Sequence, residues 1–327
     1  MKHQVANTIK ALVMMVSLMG SFQALGAKPC PNEIVFNDNI LDLRAIHPKQ
    51  ESFYDELDET KENAKYDLRR KIDRQNINQN DPMYALNAIG KVTTGAVKEG
   101  QPGFFEATKN EENTSWGTGF MISPCHMITN HHVVCEKETV NGVKACRSDG
   151  SVKKNVNFSF GENSNGTDFK GRVTGNVAEF DSDFDFAIVR MESLKDQDVP
   201  YITPNFWDIS KINEVVSLGA GYPVQSLGQN SHKLYGMKAI LSENSAYVNG
   251  KMSFTPGNSG SPTMNLKNST LTASGIYSKG GHDSSGNAKL NGSPKITSMP
   301  TIGAALKQKN PALLKEILNS LRTGKCQ

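Results

Sequence analysis

The 327-residue chain has little net charge, no cysteines or histidines at metal-ligand spacing, and no long apolar run. Each shortage removes a class of function. Its 36 Lys and Arg against 33 Asp and Glu leave a formal charge of +3, with no dense basic stripe. That is too weak an electrostatic footprint for a nucleic-acid binder. No CxxC or HxxxH spacing occurs, so neither a metal nor another cofactor is expected. No segment reaches the roughly 20 apolar residues needed to span a membrane. The apolar stretch "ALVMMVSLMG" follows Lys2 and Lys10 and precedes the small residues Ala24, Gly26 and Ala27. Residues 1–27 therefore read as a secretory signal, and the mature chain is expected to be exported, secreted or periplasmic, without stable membrane insertion. Cys30 stands away from the small residues, so a lipid-anchored start is not expected.

Export permits disulfides. The five cysteines are Cys30, Cys125, Cys135, Cys146 and Cys326, an odd number that leaves at least one without a partner in the chain. Cys135 and Cys146 flank a short polar loop and form the first-choice bridge. Cys30 and Cys326, near opposite ends of the mature chain, are placed to staple them. With 37% hydrophobic and 21% charged residues, the chain is of ordinary globular composition, expected as one large or two modest units.

Residues 28–80 are polar and form an N-terminal extension. Within it, "ESFYDELDETKENAKYDLRRKIDRQ" predicts a helix, its acids early and its bases late as the helix dipole favours. Its apolar stripe is thin (Leu57, Ala64, Leu68, Ile72), which fits a solvated surface helix or a pro-segment that is later cleaved away. From Tyr84 the texture changes. Short runs such as "YALNAIGKVTT", "TGFMIS", "HMITN", "NVNFSF", "GRVTGNVAEF", "FAIVRM", "EVVSLGAGYP", "KLYGMKAILS", "NGKMSF" and "TASGIYS" alternate with Gly, Asn, Ser and Asp turns. No repeat is evident. Many short strands at this spacing predict an all-β barrel or sandwich. The chain then ends in a helix over about 311–322, capped by Asn310, opened by Pro311 and stopped by Gly324.

Within "SFTPGNSGSP", glycines strip the side chains from around Ser259. Gly257 can adopt backbone angles closed to other residues, and Gly260 leaves room for a substrate. A serine hydroxyl becomes a useful nucleophile only beside a base, and acyl transfer also needs donors for the developing oxyanion. The N–H groups of Gly257 and Ser259 are the candidate donors. The candidate base lies in "MITNHHVVC", where a strand runs into His131 and His132. His47, His126, His232 and His282 sit in polar or turn contexts. In "DSDFDFAIVRM", Asp185 stands where the chain enters the core and can orient an imidazole. Asp181 and Asp183 read as solvated turn residues.

These three stretches, "GTGFMIS…MITNHHVV", "DFAIVRM" and "TPGNSGSP", resemble the signatures of chymotrypsin-like (trypsin-fold) serine proteases, in the order His, Asp, Ser. "TNHHVV", "GNSGSP" and the upstream "GYP" are most similar to the bacterial glutamyl-endopeptidase branch. The resemblance spans about Tyr84 to Leu306. It implies two antiparallel six-stranded β-barrels, about 84–200 and 201–306, within a protease domain over 81–327. By motif, His132 would be the general base, Asp185 its orienting acid and Ser259 the nucleophile. Gly257 and Ser259 would supply the oxyanion hole, and proteins or peptides would be the substrates. The primary pocket would be walled by Ser253, Phe254, Tyr277, Ser278, Lys279 and Gly280, with Ser278 also able to bond Asp185.

Several positions depart from the pattern. Asn258 stands where animal trypsins carry an aspartate that pairs with a newly cut N-terminus, so activation by that ion pair is not expected. The disulfide usual beside the histidine would fall on Gly117 and Val133. Glutamyl endopeptidases hold the substrate acid with a threonine and a histidine, where this chain has Phe254 and Tyr277. No acid occupies the pocket floor, against a trypsin-like preference for Lys or Arg, and Lys279 is expected to reach solvent. The competing readings are a catalytically silent protease-fold binding protein and an α/β-hydrolase. The first would be marked by lost triad residues and the second needs G-x-S-x-G and the order Ser, Asp, His; this chain has neither.

Overall fold

The computed structural model describes residues 70–71, 77, 79–94, 115–162, 169–191, 200–207, 215–221, 234–243, 247–250, 257–267, 270–279 and 295–326. All lie in the second of two compact units, Phe36–Gln327. The expected signal, Cys30 and the extension before Arg70 lie outside the described residues, as do Ser253, Phe254 and Gly280.

In chain order the strands are β1 (Arg70–Lys71), β2 (Ile89–Thr94), β3 (Ser115–Ser123), β4 (His126–Thr129), β5 (Lys137–Val140), β6 (Val143–Cys146), β7 (Val156–Glu162) and β8 (Phe169–Asp181). They continue as β9 (Phe186–Met191), β10 (Thr203–Pro204), β11 (Val215–Gly221), β12 (Tyr235–Glu243), β13 (Tyr247–Gly250), β14 (Pro262–Lys267), β15 (Thr270–Lys279) and β16 (Lys295–Ser298). The helices are α1 (His131–Val134), α2 (Met299–Lys309) and α3 (Pro311–Thr323). Pro82–Ala88 is a 3-10 helix capped by Asp81, with Pro82 in its first turn, so of the run read from sequence as a strand from Tyr84 only Ile89–Thr94 is strand.

The fold is all-β with a C-terminal helical pair. Strands β2-β3-β4-β9-β8-β7 form a closed antiparallel barrel, shut by pairing β7 to β2. Apolar residues along these strands, among them Phe120, Ile128, Phe158 and Ile188, are fully buried and fill it. In the second half, β12-β11-β14-β15-β16-β13 pair in sequence, and β12 also pairs with β13, so the ladder returns on itself. The expected six strands form this ring, and β1 and β10 add to it, making eight in all. The "RRK" end of the predicted N-terminal helix is thus partly strand: Arg70 and Lys71 pair with Gly236 and Tyr235. An open sheet edge there offers backbone partners that outweigh a thin helical stripe.

The C-terminal helix runs one residue past its expected end. Asn310 Oδ1 accepts from Leu313 N–H at 3.1 Å, and Gly324 ends it at φ +66°. Sequence patterning missed α2, because Pro300 and Gly303 lower its helical appearance. Gly303 is there for contact: a Cβ at this position would stand 2.8 Å from Phe206 Cβ.

Helix α3 is fastened to the first barrel. Cys326 pairs with Cys125 rather than with Cys30, joining residues 201 apart in sequence. In the chain-entropy account a loop of that length is worth up to about 5 kcal/mol. Cys135 pairs with Cys146 as expected. His126, placed by its neighbours in a polar or turn context, is fully buried on β4. Its Nε2 lies 3.1 Å from Glu316 Oε1 on α3, and its Nδ1 lies 2.8 Å from Ser123 Oγ. Arg190 holds the same carboxylate with Nε at 2.9 Å and Nη2 at 2.5 Å. A carboxylate only accepts, so Nε2 carries the proton and Nδ1 accepts from the serine.

Burial, aided by the Arg190 cation, lowers the His126 pKa, although Glu316 opposes the shift. Burial raises that of Glu316, but the Arg190 bonds and the neighbouring His126 hold it below its usual range. Both groups therefore bind fewer protons folded than unfolded. Stability should fall as pH drops, first below about 6.5, where an unfolded histidine charges, then below about 4.5 for the glutamate. His126→Gln should flatten the upper part of this slope, read as melting temperature between pH 7.5 and 5. An unchanged slope would remove His126 from the account.

Candidate active site

The three sequence motifs converge on one place. The His132 side chain, about one third exposed, projects from α1, the single turn that follows β4. Asp185 ends the turn between β8 and β9 and is 5% exposed. Its carboxylate holds the histidine twice: Oδ2 lies 2.7 Å from Nδ1, and Oδ1 accepts the His132 backbone N–H at 3.0 Å. Ser278 Oγ donates to the same Oδ2 at 2.6 Å, as the resemblance implied. Asn130, which sequence reasoning passed over, donates from Nδ2 to the Asp185 carbonyl at 2.7 Å. Asp185 sits at φ +54°, a left-handed conformation that Asp and Asn tolerate better than most residues. Burial opposes its charge, but the bonds from His132 and Ser278 outweigh it and keep the carboxyl ionised below the ordinary aspartate range.

Ser259 lies on the adjacent turn, tied to both halves of the protein. Its carbonyl accepts from Thr118 N–H at 2.7 Å, and Thr118 Oγ1 donates to the Gly257 carbonyl at 2.8 Å. Gly260 N–H donates to Tyr277 O at 2.9 Å, and Tyr277 N–H returns to Ser261 O at 2.8 Å. One residue further along β15, Ser278 grips Asp185. The point where a Cβ would stand on Gly117 is 2.7 Å from Val133 Cγ2 and 2.9 Å from the Ser259 carbonyl. The serine turn and the histidine turn therefore meet at Gly117. The positions of the absent disulfide, Gly117 and Val133, touch without one.

No hydrogen bond joins the Ser259 hydroxyl to the imidazole among the described residues. Such contacts are often long until substrate closes them. Gly257 and Gly260 have φ of +91° and +86°. The Gly260 amide is given to Tyr277 O on β15 and the Ser261 amide to Asn258 O within the turn, whereas the Gly257 and Ser259 N–H groups have no acceptor among the described residues.

Other predicted residues fall differently. Asp181 is no solvated turn residue. It is 2% exposed, pairs with Lys309 at 2.6 Å and accepts from the Asp183 and Phe184 N–H groups at 2.9 Å. Asp183 is exposed. His131 is buried and stacks on Phe180 at 4.8 Å, and burial lowers its pKa. Tyr277 is buried, which raises its phenol pKa. Lys279 ends β15 opposite Lys295. Among the described residues no group of three His, Cys, Asp or Glu is arranged to hold a metal, and no helix is long and apolar enough to cross a membrane.

A closed antiparallel barrel, a second ring of strands and a site supplied from both halves define a chymotrypsin-like fold. Residues 117–273, just under half of the chain, match the family model described as the trypsin-like peptidase domain. No curated protein matches the chain. Among solved structures, it is similar to a glutamyl endopeptidase in complex with MPD (21% identity, TM-score 0.47), covering 74% of this chain and 97% of that one. The Rv3671c protease from M. tuberculosis shows 17% identity and a TM-score of 0.45, covering 71% and 85%. A thermostable serine protease, AL20, from an extremophilic microorganism shows 14% and 0.48, covering 70% and 98%.

Proposed function

We propose that the protein is an exported serine endopeptidase that works through His132, Asp185 and Ser259. The observation that carries the reading is the double hold of Asp185 on His132. With Nδ1–H bonded to a carboxylate, the lone pair is on Nε2, the atom that must take the serine proton. Ser259 Oγ would attack the scissile carbonyl as its proton passes to Nε2. The Gly257 and Ser259 amides, without acceptors among the described residues, would receive the oxyanion. Nε2–H then protonates the leaving amine. Water repeats the sequence to release the acid and regenerate Ser259. The imidazole must be neutral to begin, so turnover fails in acid. Ser278, though given to Asp185, and Tyr277, Lys279, Ser253, Phe254 and Gly280 remain the proposed pocket walls.

Export is supported by the signal-like start and by the two disulfides. The extension is read as a pro-segment whose removable part ends before Arg70, because Arg70 and Lys71 are built into the second ring. A fluorophosphonate should label the protein at Ser259. Ser259→Ala should abolish labelling and lower casein hydrolysis by roughly 10⁶-fold. Labelling elsewhere, or retained hydrolysis in the alanine variant, would refute the assignment.

A further inference from the structure

Helix α1 is a single turn. Its C-cap residue closes one helical bond, Cys135 N–H to His131 O at 2.8 Å, and the later carbonyls need partners from outside the helix. Val134 O accepts from Lys153 N–H at 2.9 Å. The His132 carbonyl is treated differently: it accepts from a side chain, the Lys137 ammonium, at 2.6 Å. The Cys135 sulfur, 3.6 Å from the same oxygen, is in a disulfide and has no proton to give.

Lys137 opens the β5–β6 hairpin, a two-stranded sheet separate from both rings. The tip of the hairpin is exposed, with Val140 at 50%. Its base is closed by Cys135–Cys146, and Cys146 is the cross-strand partner of Lys137. The disulfide thus fixes the strand position from which the lysine reaches back.

We infer that this hairpin is a positioning arm for His132, acting through Lys137. The inference rests on the reading of His132 as the general base. Both peptide groups of that residue are gripped by charged side chains of opposite sign, the N–H by Asp185 and the C=O by Lys137. Charge-assisted bonds of this kind are stronger than neutral ones, and both lie next to the barrel wall. Together they fix where the imidazole swings from, while Asp185 fixes its rotation. Lys137 is a positioning residue, not a catalytic one: it touches neither the imidazole ring nor the Ser259 turn among the bonds described. Displacing a catalytic group by about 1 Å can cost up to about 10²-fold in rate.

The test uses the full disulfide-bonded protein, a peptide substrate chosen from a library digest, and the rate of fluorophosphonate labelling. Lys137→Met should lower kcat and the labelling rate about tenfold, with KM within about twofold of wild type. Lys137→Arg should recover most of the loss, since a guanidinium can donate to the same carbonyl; a purely steric role would give no such rescue. The double variant Cys135→Ser/Cys146→Ser should lose a similar factor. Adding Lys137→Met to it should cost little more, because the two changes undo one device. If Lys137→Met does not fold, the double cysteine variant is read alone, with the same expected loss of kcat. A kcat at wild-type level in either, or a change confined to KM, overturns the arm. Turnover surviving in Ser259→Ala or His132→Ala would instead remove the reading on which it rests.

Discussion

Asp185→Asn is expected to lower kcat by roughly 10⁴-fold while leaving the protein folded. The Asp185 carboxylate meets three donors: His132 N–H, His132 Nδ1–H and the Ser278 hydroxyl. An asparagine offers one accepting oxygen and one donating amide in the same space. If its oxygen keeps the backbone N–H of His132, its NH₂ faces Nδ1 and Ser278. The imidazole can then satisfy it only by turning Nδ1 into an acceptor, which moves the ring proton to Nε2. That nitrogen can no longer take the proton of Ser259. Asparagine is the informative replacement because it tolerates the φ of +54° as aspartate does. Alanine would add backbone strain and obscure the tautomer effect. The test is kcat on the selected peptide together with imidazole ¹⁵N shifts. A variant within tenfold of wild type would show that Asp185 does not set the working tautomer.

Ser259, Asp185 and the His131–His132 pair stood out as candidates because each lies in a short stretch whose local chemistry is unusual, and the choice of His132 came from the resemblance. Glycines flank the serine, a strand runs into the histidine, and an acid stands at the mouth of an apolar strand. The geometry that joins these stretches was not visible from their neighbours. His126 looked like one histidine among several in polar contexts because its partner Glu316 is 190 residues away. Asp181 looked solvated because Lys309 reaches it from the C-terminal helical pair. Cys326 was assigned to Cys30 by position along the chain, whereas α3 folds it against the first barrel. Lys137 carried no signal at all, since a lysine in a polar hairpin is the commonest of surface residues. The strands themselves were largely readable from alternation and turn residues. Strands β5, β6, β10, β14 and β16 carry weak or polar patterns and were passed over. In β1 and α2 local propensity is overruled by partners: the open edge of β12 in one case and the Phe206 contact in the other. Local pattern therefore names the candidate reacting groups, and long-range polar contacts decide how firmly they are held.

Gly260→Ala should damage both activity and stability, though it removes no reacting group. A methyl at this position would stand 2.0 Å from the Thr118 carbonyl oxygen and 2.5 Å from Thr129 Oγ1. Those two atoms are already joined by the Thr129 hydroxyl bond to Thr118 O at 2.8 Å. Thr118 N–H in turn holds the Ser259 carbonyl at 2.7 Å. The methyl can be admitted only by driving the serine turn away from β3, which shifts Ser259 and the Gly257 and Ser259 amides together. The φ of +86° adds a backbone cost of about 1–2 kcal/mol. The combined loss of stability should reach about 3 kcal/mol or more, and labelling by fluorophosphonate should slow at least about 10²-fold. Gly324→Ala separates the two causes. Its φ is +66°, but nothing lies within 4 Å of the added methyl. It should cost only the backbone strain, about 1 kcal/mol, and leave labelling unchanged. Thermal melts and labelling rates of the pair decide the matter. If Gly260→Ala behaves like Gly324→Ala, the serine turn is not wedged against β3, and the rigid placement of Ser259 described above is wrong.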